Sequence, residues 1–174
     1  MLKHTLFFEK ETLGIISAYA NRMNDERMSG EVGYYHLMDT SLSLIKQSED
    51  FIKGKNHIKK VLLIGMGGSS CGVKALKDFL FDEKSNEREL FIIDNTSSHT
   101  FTQTMSKLNL NDTLFIISSK TGTTIEVVSL FKLIMAHFKL KESELKNYVI
   151  FITDESSKLH QLGIKLGIHS FFIP

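Results

Sequence analysis

Two short stretches of this chain hold residue types at spacings suited to gripping an anion. The first, GMGGSSCG (residues 65–72), follows the apolar run VLLI and leads into a helical pattern. Gly67 and Gly68 permit a tight turn and close backbone approach, and N–H groups from Ser69 onward would face outward with the positive end of the helix dipole. The second, SSKTGTT (118–124), offers hydroxyls from Ser119, Thr121, Thr123 and Thr124, the ammonium of Lys120, and a bend at Gly122. Hydroxyl donors, one cation and free amides at a helix start are what a phosphate monoester requires, each charge-assisted bond being worth about 1.5–3 kcal/mol. Each loop taken singly has a plainer reading, a close-packed glycine turn for the first and a Ser/Thr capping turn for the second. The pair together favours the anion.

Other nucleotide and catalytic chemistries fit less well. Ser70 occupies the third glycine position of a dinucleotide fingerprint, although Asp94, after the second apolar run, keeps that option open. Val73 separates Gly72 from Lys74, and Ala75 stands where a magnesium-binding hydroxyl would be needed, so the loop is not a Walker A loop. Thr123 and Glu126 form a T-x-x-E pattern, which predicts a capping box and gives Glu126 a structural role. Cys71 adjoins the first loop with nothing but a helix start to activate it. None of the histidines, His4, His36, His57, His99, His137, His160 and His169, stands at a metal-ligand spacing, and no metal is expected.

The elements that position these loops follow from periodicity. VLLIG (61–65), LFIID (90–94), TLFIIS (113–118), YVIFIT (148–153) and IHSFFIP (168–174) are nearly continuous apolar runs with helical stretches between them. Such runs predict strands covered on both faces, and the intervening helices are what parallel connections need. The expected fold is therefore an α/β domain: three layers, α/β/α, with a five-stranded parallel sheet of order 2-1-3-4-5. In that order strands one and three are neighbours whose helices leave on opposite faces, which opens a crevice at their carboxyl ends. Ile125, Val128, Phe131, Met135 and Phe138 predict the buried face of the helix after strand three. Before the sheet, Leu13, Ile16, Ala20 and Met23, then Leu42, Ile45 and Ile52, predict two helices, so that residues 1–58 form a helical arm and 59–174 the sheet domain.

Composition closes off several classes. The chain has 174 residues, 42% hydrophobic and 24% charged, enough for a real core and too apolar for disorder. A formal charge of +1 steers it to neither nucleic acid nor membrane, and the run Lys53, Lys55, Lys59, Lys60 reads as a solvated face. A single cysteine predicts a reducing compartment, and Glu9 and Lys10 interrupt the N-terminal apolar stretch too early for a signal peptide. The expectation is a cytoplasmic protein.

IGMGGSSCG, ISSKTGTTIE and the tail FITDESSKLHQLGIKLGIHSFFIP, with GEVGYYHLMD (30–39) more loosely, resemble the phosphoglucose isomerase family, in particular the first of its two sugar-isomerase (SIS) domains. By position, the resemblance implies that Gly68 and Ser69 touch the substrate and that Ser119, Lys120, Thr121 and Thr124 hold its phosphate. It implies aldose–ketose isomerisation of glucose 6-phosphate and fructose 6-phosphate, in glycolysis and gluconeogenesis, without cofactor or metal, in a homodimer. Ser70 and Cys71 stand where many relatives carry bulkier residues. The family's G-G-R-[FY]-S segment, its glutamate base, its ring-opening histidine and its late lysine have no counterpart in residues 1–174, so an N-terminal fragment lacking the second domain, with no catalytic residue of its own, is expected. A sugar-phosphate-sensing SIS module without catalysis is the alternative.

Overall fold

The computed structural model describes residues 10–30, 33–80 and 88–173. The N-terminal MLKHTLFFE, residues 31–32 of the loosely matching segment, and Pro174 at the end of the last predicted strand lie outside the described residues. The chain divides into two compact units, one up to Ser48 and one from Glu49 to Ile173. In the first, helix α1 (Lys10–Ser29) is followed by a short turn of 3-10 helix, Gly33–His36, and most of helix α2 (Leu37–Ile52). The predicted stripes exist as helices, yet Ile16, Met23, Leu42 and Ile45 are exposed. Within this unit the His36 ring bonds the Arg27 carbonyl at 3.0 Å, and Arg22 pairs with Glu26 one turn on.

The second unit is built on strands β1 (Lys60–Ile64), β2 (Glu89–Ile93), β3 (Thr113–Ser118), β4 (Val149–Thr153) and β5 (His169–Phe172). They form one sheet of order β2-β1-β3-β4-β5 with every neighbouring pair parallel, as the apolar runs predict. Between them lie helices α3 (Gly68–Leu80), α4 (Ser98–Met105), α5 (Ile125–His137) and α6 (Lys158–Leu166). Alternation sorts the strand side chains onto two faces. Ile93, Ile64, Ile117 and Phe151 stand side by side across four strands with no exposed surface and face the main core, together with side chains of α4, α5 and α6. Burying each such side chain stabilises the fold by about 1.5–3 kcal/mol. Leu114 and Ile150 point the other way, into a smaller cluster with Ile58, Phe51 and Phe171. No α3 side chain belongs to the main core, as expected of a helix that crosses back from β1 to β2 on the opposite face.

Two local expectations need correction. The buried face of α5 is Val127, Leu130, Phe131 and Ile134, whereas Ile125 is 74% exposed and Val128, Met135 and Phe138 are only half-buried. The helix is apolar around most of its girth, so more than one stripe satisfies a helical period, and the sheet selects one. The T-x-x-E capping box is also absent, because the helix is capped at Thr124, not Thr123, and without a side-chain bond. Both hydroxyls are already engaged: Thr123 with Thr121 at 2.8 Å, Thr124 with Ser119 at 3.0 Å.

Candidate anion site at the carboxyl edge of the sheet

The register of the central strands brings the two glycine loops together. Ile64, the last residue of β1, lies directly beside Ile117 of β3, so GMGGSSCG and SSKTGTT emerge as neighbours about one strand spacing apart. The turns after β1, β3 and β4 each carry polar groups at this edge, and the turn after β2 carries Asp94.

After β1 the chain turns at Gly67, whose φ of +55° is a left-handed conformation suited to glycine. The amides differ from the sequence expectation. Ser69 N–H donates to the Met66 carbonyl at 3.2 Å, while the N–H groups of Ser70 and Cys71 donate to the Gly67 carbonyl at 3.0 and 2.9 Å. These bonds close the first helical turn, so the amides of Gly67 and Gly68 are left without an internal partner among the described residues, with the half-buried Ser69 next in the chain. Ser70 is fully buried, and its hydroxyl donates to the Gly67 carbonyl at 3.1 Å.

After β3 the loop is braced by its own hydroxyls. Ser119, 3% exposed, accepts the Gly122 N–H at 3.1 Å and shares a proton with Thr124. Its hydroxyl therefore shapes the loop from within. Gly122 has φ +68°, and a Cβ there would lie 2.4 Å from the Leu159 backbone nitrogen, so glycine lets the loop rest directly on the first turn of α6. Lys120, Thr121 and Thr123 are exposed, and Thr124 is half-buried. Because Thr124 gives no side-chain cap, the first amides of α5 keep their donors for an external acceptor, where the helix dipole also favours negative charge.

The third turn was not singled out in the sequence. Lys120, Thr121, Thr123, Asp154, Ser156, Ser157 and Lys158 line a shallow hollow of about 270 Å³. Asp154 accepts both the N–H and the hydroxyl of Ser156 at 2.9 Å. These bonds, with a smaller contribution from the Lys120 ammonium, hold its carboxyl below the usual carboxylate range. The available signal was the polar run TDESS at the end of an apolar strand. Behind the loop, α5 and α6 enclose an apolar cavity of about 450 Å³ that reaches Ser119 and Gly122.

Asp94, the residue on which a dinucleotide reading depends, accepts a 2.7 Å salt bridge from Lys74 of α3. The hydrogen bond from Lys74 lowers the Asp94 pKa and raises that of Lys74. Cys71 is an exposed free thiol. Among the described residues no group of His, Cys, Asp and Glu gathers to hold a metal, and no helix is long and apolar enough to cross a membrane.

The family model for phosphoglucose isomerase matches residues 33–171. A glucose-6-phosphate isomerase of Campylobacter jejuni is 63% identical over the whole of this chain, which corresponds to 43% of that protein. Among solved structures, a hypothetical protein of Thermus thermophilus superposes with a TM-score of 0.78 at 20% identity, over 94% of this chain and 40% of its own. A glucose-6-phosphate isomerase of Chlamydia trachomatis gives 0.59 at 18% identity, over 98% of this chain and 28% of its own. At such identities the two structures speak for the fold alone. The chain spans less than half the length of the curated relatives it matches.

Proposed function

The chain belongs to the phosphoglucose isomerase family, and on that footing we propose that it is the first sugar-isomerase domain of a glucose-6-phosphate isomerase and holds the substrate's phosphate. Glucose 6-phosphate and fructose 6-phosphate are the substrates, the parent protein is a cytoplasmic homodimer, and the reaction uses no cofactor. The phosphate sits between the Gly68–Ser69 turn and the loop of Ser119, Lys120, Thr121 and Thr124. The observation that carries this reading is the uncapped start of α5, in the same loop as Lys120, together with the amides of Gly67 and Gly68, which lie on the neighbouring strand's turn and have no internal partner among the described residues. A dianion placed there gains backbone donors from two turns, hydroxyl donors and one cation without displacing any internal hydrogen bond of those amides.

Held by its phosphate, the sugar extends outward from the sheet edge. Isomerisation through an enediol needs a base within hydrogen-bond reach of C1 and C2, and groups that stabilise the developing oxyanion. The two loops supply phosphate donors. The base comes from segments of the relatives that this chain does not match, so residues 1–174 alone bind sugar phosphate without interconverting it. The Lys74–Asp94 pair disfavours a dinucleotide, because the acid that would accept ribose hydroxyls is already occupied.

Isothermal titration calorimetry of the chain with glucose 6-phosphate, glucose and NAD tests the reading. Saturable heat with glucose 6-phosphate, and none with glucose or NAD at the same concentrations, is the expected outcome. Binding of glucose equal to that of its phosphate, or preferential binding of NAD, overturns it.

A further inference from the structure

We propose that Thr153 is a positioning residue for the phosphate loop, acting through the carbonyls of Ser119 and Lys120; the inference rests on the phosphate reading above. Thr153 ends β4 and has no exposed surface. Register places Ser118 of β3 beside Ile152 of β4, and Ser119 N–H still donates to the Ile152 carbonyl at 3.0 Å. At that point β3 leaves the sheet, and the carbonyls of Ser119 and Lys120 lose their ladder partners. The Thr153 hydroxyl replaces them, lying 2.6 Å from the Ser119 carbonyl and 3.2 Å from that of Lys120. Asp154 N–H adds a bond to the Lys120 carbonyl at 3.1 Å.

The same hydroxyl also ties the loop to the start of α6. A threonine hydroxyl has one proton and two lone pairs. The Ser119 and Lys120 carbonyls and the Ser157 oxygen, 2.7 Å away, all lie within reach of that one proton, and Ser157 also accepts the His160 N–H at 2.9 Å. A buried set of hydrogen bonds thus joins the start of α6, Ser157 and Thr153 to the loop. Buried networks of this kind favour one geometry.

Peptide planarity turns this anchor into a ligand effect. In a trans peptide the N–H points opposite to the C=O of the same unit. Fixing the carbonyls of Ser119 and Lys120 on Thr153 aims the N–H groups of Lys120 and Thr121 away from β4, towards the side on which β1 and its glycine turn lie. Neither amide has a hydrogen bond to another described residue. Two successive N–H groups aimed the same way form a small anion nest. Thr153 therefore sets the direction of phosphate donors that it never touches.

The test compares Thr153→Val, which keeps the shape and removes the hydroxyl, with Thr153→Ser, which keeps the hydroxyl. Calorimetry with glucose 6-phosphate and with inorganic phosphate should show Thr153→Val weakened about tenfold for both, as expected for losing one aligned donor set, with Thr153→Ser within about threefold of wild type. Val149→Ala, which loosens the same strand away from the loop, should bind as wild type does. In NMR spectra without ligand, the Lys120 and Thr121 amides should move in Thr153→Val and return in Thr153→Ser. Should Thr153→Val not fold, Ser157→Ala serves in its place, with a loss of roughly 2- to 10-fold expected. Wild-type binding that Thr153→Val, or its substitute, leaves unchanged overturns the positioning role alone. Equal weakening by Val149→Ala does the same. Absence of binding by the wild-type chain overturns the phosphate reading and this role with it.

Discussion

Replacing Gly122 by alanine separates two effects that glycine relieves at the phosphate loop. At φ +68° an alanine is forced into the left-handed region, at about 1–2 kcal/mol. Its Cβ would also stand 2.4 Å from the Leu159 nitrogen and 2.7 Å from the Leu159 Cβ, and since one of those atoms is backbone, α6 or the loop must shift. Overpacking of this kind adds about 1–3 kcal/mol. Against both stands a gain of about 0.4–1 kcal/mol from a less flexible unfolded chain, leaving a net loss of about 1–4.5 kcal/mol. Gly67 provides the control, having φ +55° with no atom within 4 Å of the place an added methyl would take. Gly67→Ala should therefore lose only about 0–1.5 kcal/mol. Urea denaturation of the two variants, with unchanged slopes, measures the difference. Equal destabilisation would refute the claim that the loop is seated on α6 through Gly122.

Three further outcomes follow from named groups. Lys120→Ala should weaken glucose 6-phosphate binding roughly 10- to 150-fold, equivalent to one charge-assisted contact, and unchanged calorimetric affinity would leave Lys120 a surface lysine. Burial, and secondarily the Lys55 charge, lowers the His169 pKa from 6.5, so the unfolded chain binds more protons there below that pH. Stability should then fall as pH drops below about 6.5 more steeply in wild type than in His169→Phe, as read by chemical denaturation across that range, and parallel curves would contradict the shift. Ser170 carries a buried hydroxyl with no hydrogen-bond partner among the described residues, so Ser170→Ala should be neutral or stabilising by up to about 1 kcal/mol, and a marked loss of melting temperature would contradict this.

The sheet was readable from sequence because strands buried on both faces must be apolar at every position, as TLFIIS and YVIFIT nearly are. The order 2-1-3-4-5 is that of the doubly wound class to which such alternation of strands and helices belongs, with β2 joined to β3 across β1. The two loops were readable because glycine and hydroxyl residues in a strand-to-helix turn have few other uses. What sequence left out depends on contacts between distant segments. The face of α5 was misplaced because Ile125 and Ile134 look alike until the sheet covers only one of them. The donors of the first loop moved from Ser69 to Gly67 and Gly68 because the helix begins at Gly68 and closes its first turn on Met66 and Gly67. The capping box failed because Thr123 and Thr124 spend their hydroxyls on Thr121 and Ser119. Thr153 and Ser157 passed unnoticed because a threonine 34 residues beyond Ser119, and a serine four further on, acquire meaning only when β4 lies beside β3.

Amide chemical-shift mapping by NMR, with glucose 6-phosphate titrated into the uniformly labelled chain and glucose as the control, reads the phosphate site residue by residue. The largest phosphate-dependent shifts should fall on Gly67, Gly68, Lys120, Thr121 and the first amides of α5, Ile125 to Val127, saturating together at one affinity. Shifts centred instead on the apolar cavity between α5 and α6 or on the exposed α3 face, with these amides unmoved, would contradict this placement.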